Sequence, residues 1–85
     1  MNKEDIFELI VNHTCKVVPE LKNHTFKPED NLKELGADSL SRSEIIDMLI
    51  ESLSLEVPRV KIFGAKNIGE LVNILYSNMT AGEKI

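Results

Sequence analysis

Side chains that suit a buried face recur at Ile6, Phe7, Ile10, Val11, Thr14, Val17 and Val18. Steps of three and four line one side of an α-helix, so a first helix is predicted from Lys3 to about Val18. Glu4 and Asp5 lie at its start, where negative charge suits the helix dipole, and Pro19 follows as a stop. The stretch from Glu20 to Ala37 is mixed and polar and contains Pro28 and Gly36, yet Leu21, Phe26, Leu32 and Leu35 recur within it. A loop of this length is either functional or disordered. Its apolar anchors predict an ordered loop packed over helix ends, with one helical turn near Glu29 to Glu34.

The cleanest amphipathic pattern runs from Ser39 to about Leu53. At about 100° per residue, Ile45, Ile46, Leu49 and Leu53 share one side. Leu40, Glu44, Asp47 and Glu51 form a stripe on the other, with Met48 and Ile50 at the boundaries. Asp38 is a good cap for this helix, and Gly36 lets the chain turn sharply into it. Val57-Pro58 then resets the backbone, because the residue before proline avoids the helical region. Arg59 to Phe63 predicts one short helical turn ended by Gly64. Ile68, Leu71, Val72, Ile74 and Leu75 predict a last helix from about Asn67 to Ser77, capped by Asn67 and slightly weakened by Gly69.

The sum is an all-α fold, a small bundle of three main helices plus one short helix, with a long loop between helices one and two. Residues 1–77 are expected to form the single domain and residues 78–85 a flexible tail. Composition agrees with this picture, since 42% of the 85 residues are hydrophobic and 28% charged. No apolar run approaches the ~20 residues of a membrane span. The first residues, Met-Asn-Lys-Glu-Asp-Ile, carry charge and no signal-type apolar region, so a cytoplasmic monomer is expected. A net charge of −4 argues against nucleic acid as a partner and favours basic protein surfaces. One cysteine, Cys15, excludes an internal disulfide, and with two scattered histidines it makes no metal-ligand spacing.

The segment Leu35-Gly36-Ala37-Asp38-Ser39-Leu40 carries most of the chemical information. It places a serine at the first position of a helix, after a flexible turn and an acidic cap. There the first-turn amides and the positive end of the dipole point toward whatever the hydroxyl bears. A phosphodiester on Ser39 would gain roughly 0.3–1 kcal/mol from that dipole, while Asp38 would oppose it. From the residues alone, an ordinary helix cap is the better explanation of Asp38-Ser39.

Gly36-Ala37-Asp38-Ser39-Leu40 resembles the attachment motif of the acyl carrier proteins, and the order of helices and acidity match that family from the Ile6 helix to the Leu75 helix. The resemblance implies an acyl-carrier bundle in which a phosphopantetheinyl transferase, using magnesium and coenzyme A, places 4′-phosphopantetheine on Ser39. The arm's thiol would then carry acyl groups as thioesters, and the protein would be a carrier rather than an enzyme. Three further segments, Ser41-Arg42-Ser43-Glu44-Ile45-Ile46, Val57-Pro58-Arg59-Val60 and Gly64-Ala65-Lys66-Asn67-Ile68-Gly69-Glu70-Leu71, look like the freestanding donor carriers of polyketide β-branching cassettes. That narrower likeness implies an acyl-loading enzyme and a hydroxymethylglutaryl-CoA-synthase-like enzyme as partners, the latter receiving acetyl. A general fatty-acid or chain-extending polyketide carrier is the alternative within the family.

Under this resemblance the stripe of Leu40, Glu44, Asp47 and Glu51 becomes a docking face, with carboxylates that steer encounter and set register. Ser41, Ser43 and Asp47 depart from the residues common in the family at those positions, which points to a specialised partner. Arg42, also counted among the docking residues, projects toward the otherwise apolar side, either over the loop or against the arm's phosphate. Arg59 would extend the docking face, whereas Phe63 is expected in the core. Cys15, His13 and His24 are expected to be structural.

Overall fold

The computed structural model describes residues 2–83, with side chains through Met79. The helices are α1 (Lys3–Val17), α2 (Ser39–Leu53), α3 (Arg59–Phe63) and α4 (Ile68–Glu83), and a short 3₁₀ helix spans Pro19–Asn23. The described residues include no strand. α1 packs against both α2 and α4, and α3 leans on α4.

The starts of α1, α2 and α4 are explained by their flanking side chains. At α1, Asn2 accepts from the Asp5 amide at 2.9 Å, and the Asp5 carboxylate accepts from the Asn2 amide at 3.3 Å. This reciprocal box satisfies two amides that have no partner inside the helix. At α2, Asp38 Oδ1 accepts from the Ser41 amide at 2.8 Å. At α4, Asn67 Oδ1 accepts from the Glu70 amide at 2.8 Å. Asp38 and Asn67 are the caps expected from sequence; the Asn2 box was not anticipated.

The core is built from the predicted stripes. Ile6 and Ile10 of α1, Ile45, Ile46 and Leu49 of α2, Ile62 of α3, and Ile68, Leu71, Val72 and Leu75 of α4 form one buried cluster. Leu53 is only partly buried at its edge. A second cluster, Val18, Leu21 and Ala37 with Phe26, Leu32 and Leu35 against it, holds the long connection down. All four predicted loop anchors therefore do pack.

The connection is ordered by its polar atoms as well. The Asp30 carbonyl accepts from the Ile68 amide at 2.9 Å, and the Pro28 carbonyl from the Gly69 amide at 2.8 Å. The loop thus caps the N-terminus of α4 with backbone. Asp30 Oδ2 also accepts from the Lys27 amide at 2.8 Å and pairs with His24 Nε2 at 2.9 Å. Gly69 reads differently here than in sequence, because a Cβ at that position would lie 3.2 Å from Pro28 Cβ and 3.3 Å from Pro28 O. Its absence lets the loop approach closely.

Three boundaries differ from expectation. The residues after Pro19 form the 3₁₀ helix, since proline suits the first turn of a helix as well as it ends the previous one. The turn expected near Glu29 to Glu34 instead closes at residues 32–36, where the Asn31 carbonyl accepts from the Leu35 amide at 3.0 Å. Asn31 Oδ1 starts it, accepting from the Lys33 amide at 2.8 Å. Finally, α4 continues past Ser77 to Glu83, with Met79 packed against the core and Asn78 Nδ2 donating to the Ile74 carbonyl at 2.8 Å. The remainder of the expected tail, residues 84 and 85, lies outside the described residues.

Candidate functional site

The turn leading into α2 is built to present one side chain. Gly36 has φ +109°, a backbone conformation that side-chain-bearing residues rarely adopt. Ala37 is buried in the loop cluster, with its amide donating to the Leu32 carbonyl at 3.0 Å. The chain therefore plunges at Ala37 and emerges at Asp38, leaving Asp38, Ser39 and Leu40 exposed. Ser39 is the first residue of α2.

The electrostatics around Ser39 are set by its two neighbours. The amide and hydroxyl of Ser41 donate to the Asp38 carboxylate and hold its pKa below the ordinary value, helped by the Leu40 amide and the Arg42 charge. The Arg42 amide is occupied by the Asp38 carbonyl at 2.9 Å. Much of the first turn is thus satisfied internally, which corrects the expectation that its amides point at the serine's substituent. Arg42 takes that place. Its Nη2 donates to Ser39 Oγ and its Nε to the Asp38 carbonyl, both at 3.3 Å.

Lys33, Gly36, Ala37, Asp38, Ser39 and Arg42 line an open depression of about 310 Å³. On its other side, Arg42 borders a narrow cleft of about 40 Å³ walled by Leu32, Ile46, Ile62, Phe63 and Leu71 among others. Space, an exposed hydroxyl and an adjacent guanidinium are what a phosphodiester-linked arm on Ser39 requires, so these residues fit the group that the sequence motif implies. Lys33 was not singled out in the sequence, because only the closed 32–36 turn brings it to this depression.

The docking residues divide. Leu40 is 79% exposed, and Glu44 and Glu51 are exposed on the same face. Asp47 is different: it is half-buried and paired with Arg59 of α3. The pair joins the two helices across this face, so Asp47 is not one of a row of free carboxylates. Phe63, expected in the core, is 40% exposed, and Val60 beside it is 76% exposed. Ile62 fills the core in their place, since a one-turn helix has only one side to bury.

The other reactive side chains lie elsewhere. His13 is buried, and its Nε2 lies 3.0 Å from Ser52 Oγ, linking α1 to the far end of α2. Burial, and then the Lys16 charge, lower the His13 pKa. Ser52 is thirteen residues along the helix from Ser39, about 20 Å at 1.5 Å per residue. Cys15 is half-buried, with Sγ 3.7 Å from the Leu21 carbonyl. No group of three or more His, Cys, Asp or Glu side chains is placed to hold a metal ion among the described residues. No helix among them is long and apolar enough to cross a membrane.

Comparison with known proteins bears on this site. Residues 8–75 match the family described as the phosphopantetheine attachment site. The polyketide biosynthesis acyl carrier protein AcpK of Bacillus subtilis (strain 168) is 53% identical over 79 residues, which cover 93% of this chain and 96% of that protein. A chain in the crystal structure of the curacin biosynthetic pathway HMG synthase in complex with acetyl donor-ACP superposes with a TM-score of 0.82. It is 47% identical, and the match covers 89% of this chain and 96% of that one. With a serine offered at a helix start, and likeness along nearly its whole length, the chain belongs to the acyl carrier proteins, the family that bears phosphopantetheine.

Proposed function

We propose that Ser39 is the residue that receives 4′-phosphopantetheine, and that the loaded protein delivers acetyl to a hydroxymethylglutaryl-CoA-synthase-like enzyme in polyketide β-branching. The observation that carries this reading is the exposed Ser39 side chain at the first position of α2, with Arg42 beside it. The similarity to an acetyl donor carrier, over most of both chains, supports the narrower role. In the loading step the Ser39 oxygen forms a bond to the phosphorus of the arm, the diphosphate link of coenzyme A breaks with adenosine 3′,5′-bisphosphate leaving, and the hydroxyl proton passes to the transferase. Bound there, the arm supplies the thiol on which acyl groups travel.

The chain itself acts as a protein-bound substrate, without catalysis. Asp38 holds the helix start and Ser39 accepts the arm. Leu40, Glu44 and Glu51, with Val60, Phe63 and the Asp47–Arg59 pair, form the face that visiting enzymes read. We place the protein in the cytoplasm as a monomer, where a transferase and an acyl-loading enzyme act on it in turn.

Incubation with coenzyme A, magnesium and a promiscuous transferase should add one phosphopantetheine mass to the wild type and none to Ser39→Ala. Because Ser39 is exposed, the variant should keep the wild-type melting temperature. Acetylated holo protein should then pass its acetyl group to a β-branching synthase. A wild type that stays unmodified with several transferases overturns the Ser39 assignment. Efficient service of a chain-extending ketosynthase, with no transfer to the β-branching synthase, would assign the chain to general elongation instead.

A further inference from the structure

We propose that Arg42 positions the prosthetic arm by moving from the Ser39 hydroxyl to the phosphodiester that replaces it. The inference rests on Ser39 being the attachment point. Three observations carry it. The Arg42 guanidinium already reaches Ser39 Oγ, with Nη2 at 3.3 Å, and is anchored through Nε to the Asp38 carbonyl at the same distance. Esterification removes that oxygen's proton and sets the anionic oxygens two bonds further out, within the sweep of an arginine side chain.

The second observation is that neighbouring amides of the first turn are already engaged. The Ser41 amide serves the Asp38 carboxylate and the Arg42 amide the Asp38 carbonyl. An added phosphate also faces the negative charge of Asp38, a neighbour by sequence. A fixed planar cation beside the ester offsets that repulsion, and a guanidinium can present two parallel N–H groups to two phosphate oxygens. Lys33 lines the same depression, but its ammonium is a point charge without that planar pair of donors.

The third observation is position. Arg42 borders both the depression at Ser39 and the narrow cleft between α2, α3 and α4. A phosphate held at Arg42 fixes the root of the arm between these two openings, so the arm's swing is restricted before any partner binds. Arg42 is thus a positioning residue of the carrier, half-buried on the helix flank and directed at the arm rather than at a partner.

The test uses the intact chain in apo and holo forms. Intact mass first establishes one arm on the wild type and none on Ser39→Ala; failure there overturns the attachment reading, and this proposal with it. On fully converted protein, hydrogen exchange at Arg42 Nε–H, followed by nitrogen NMR, should slow by roughly two- to fivefold between apo and holo, the range of an exposed ion pair. The phosphorus resonance of the diester should move in Arg42→Gln toward its position in urea-unfolded holo protein, and Arg42→Lys should lie between. Circular dichroism checks that the variants fold, and the wild-type apo–holo comparison decides the matter if they do not. Equal exchange in both forms, with one phosphorus position in wild type and both variants, would overturn the role of Arg42 while leaving Ser39 intact.

Discussion

At the scale of single residues, the molecule keeps its chemistry and its packing polarity apart. Ser39 stands exposed at one end of α2, whereas His13 is buried against Ser52 near the other. The His13 ring nitrogen Nδ1 is buried without a hydrogen-bond partner, and burial lowers the pKa below its ordinary value of 6.5. The folded state therefore favours neutral imidazole. Stability from this site is complete above pH 6.5 and is lost as pH falls from there through the folded pKa. For one proton the slope is at most about 1.4 kcal/mol per pH unit. Urea titrations at pH 7.5 and pH 5 should show a larger loss for wild type than for His13→Gln; equal losses would remove His13 as the cause. Sequence placed His13 on a helix but gave no sign of Ser52 opposite it, thirty-nine residues later.

At the scale of elements, the turn before α2 and the cap before α4 decide how the site is held. Gly36 is the residue whose backbone a side chain would strain, although a Cβ there would touch nothing. Gly36→Ala should thus lower unfolding free energy by about 1–2 kcal/mol from backbone strain alone, measured by urea denaturation. A neutral result would mean that the turn relaxes without cost. Asp30 and Asp38 both have carboxyl pKa values lowered from 3.8 by the groups that donate to them. The stabilisation each contributes is complete above that value and fades as pH drops through the folded pKa, so acid should loosen the loop and the α2 cap together. Within α2, Leu49 is fully buried, and Leu49→Ala should cost about 2–5 kcal/mol, read as a fall in the urea midpoint. A loss under 1 kcal/mol, at the scale of an exposed site, would contradict its place in the core.

At the scale of the whole molecule, exposed groups on α2 and α3 make a mixed face. Leu40 and Val60 offer apolar contact, Glu44 and Glu51 offer negative charge, and the Asp47–Arg59 pair braces the helices beneath. Charges at such a rim act mainly on encounter rates. Glu44→Lys with Glu51→Lys should therefore slow acetyl transfer to the synthase at low salt and flatten its salt dependence. Rates that match wild type at low salt would exclude the stripe from docking. Asp47→Asn tests the brace separately, with a stability change below about 1 kcal/mol because water reaches both side chains, measured by thermal melting.

What the linear chain determined by itself is local. Helix periodicity, the Asp38 and Asn67 caps, the Gly64 stop and the motif around Ser39 all depend on side chains a few residues apart, and α2 and α3 begin and end where their patterns do. Only the tertiary structure decided that loop carbonyls at Pro28 and Asp30 cap α4, that Asp47 pairs with Arg59, and that Phe63 stays partly outside. Those outcomes turn on which surfaces meet after the helices pack. Arg42 shows the same division: the helical spacing set its direction off the docking stripe, but the folded turn and the occupied amides of the cap left it as the donor facing Ser39.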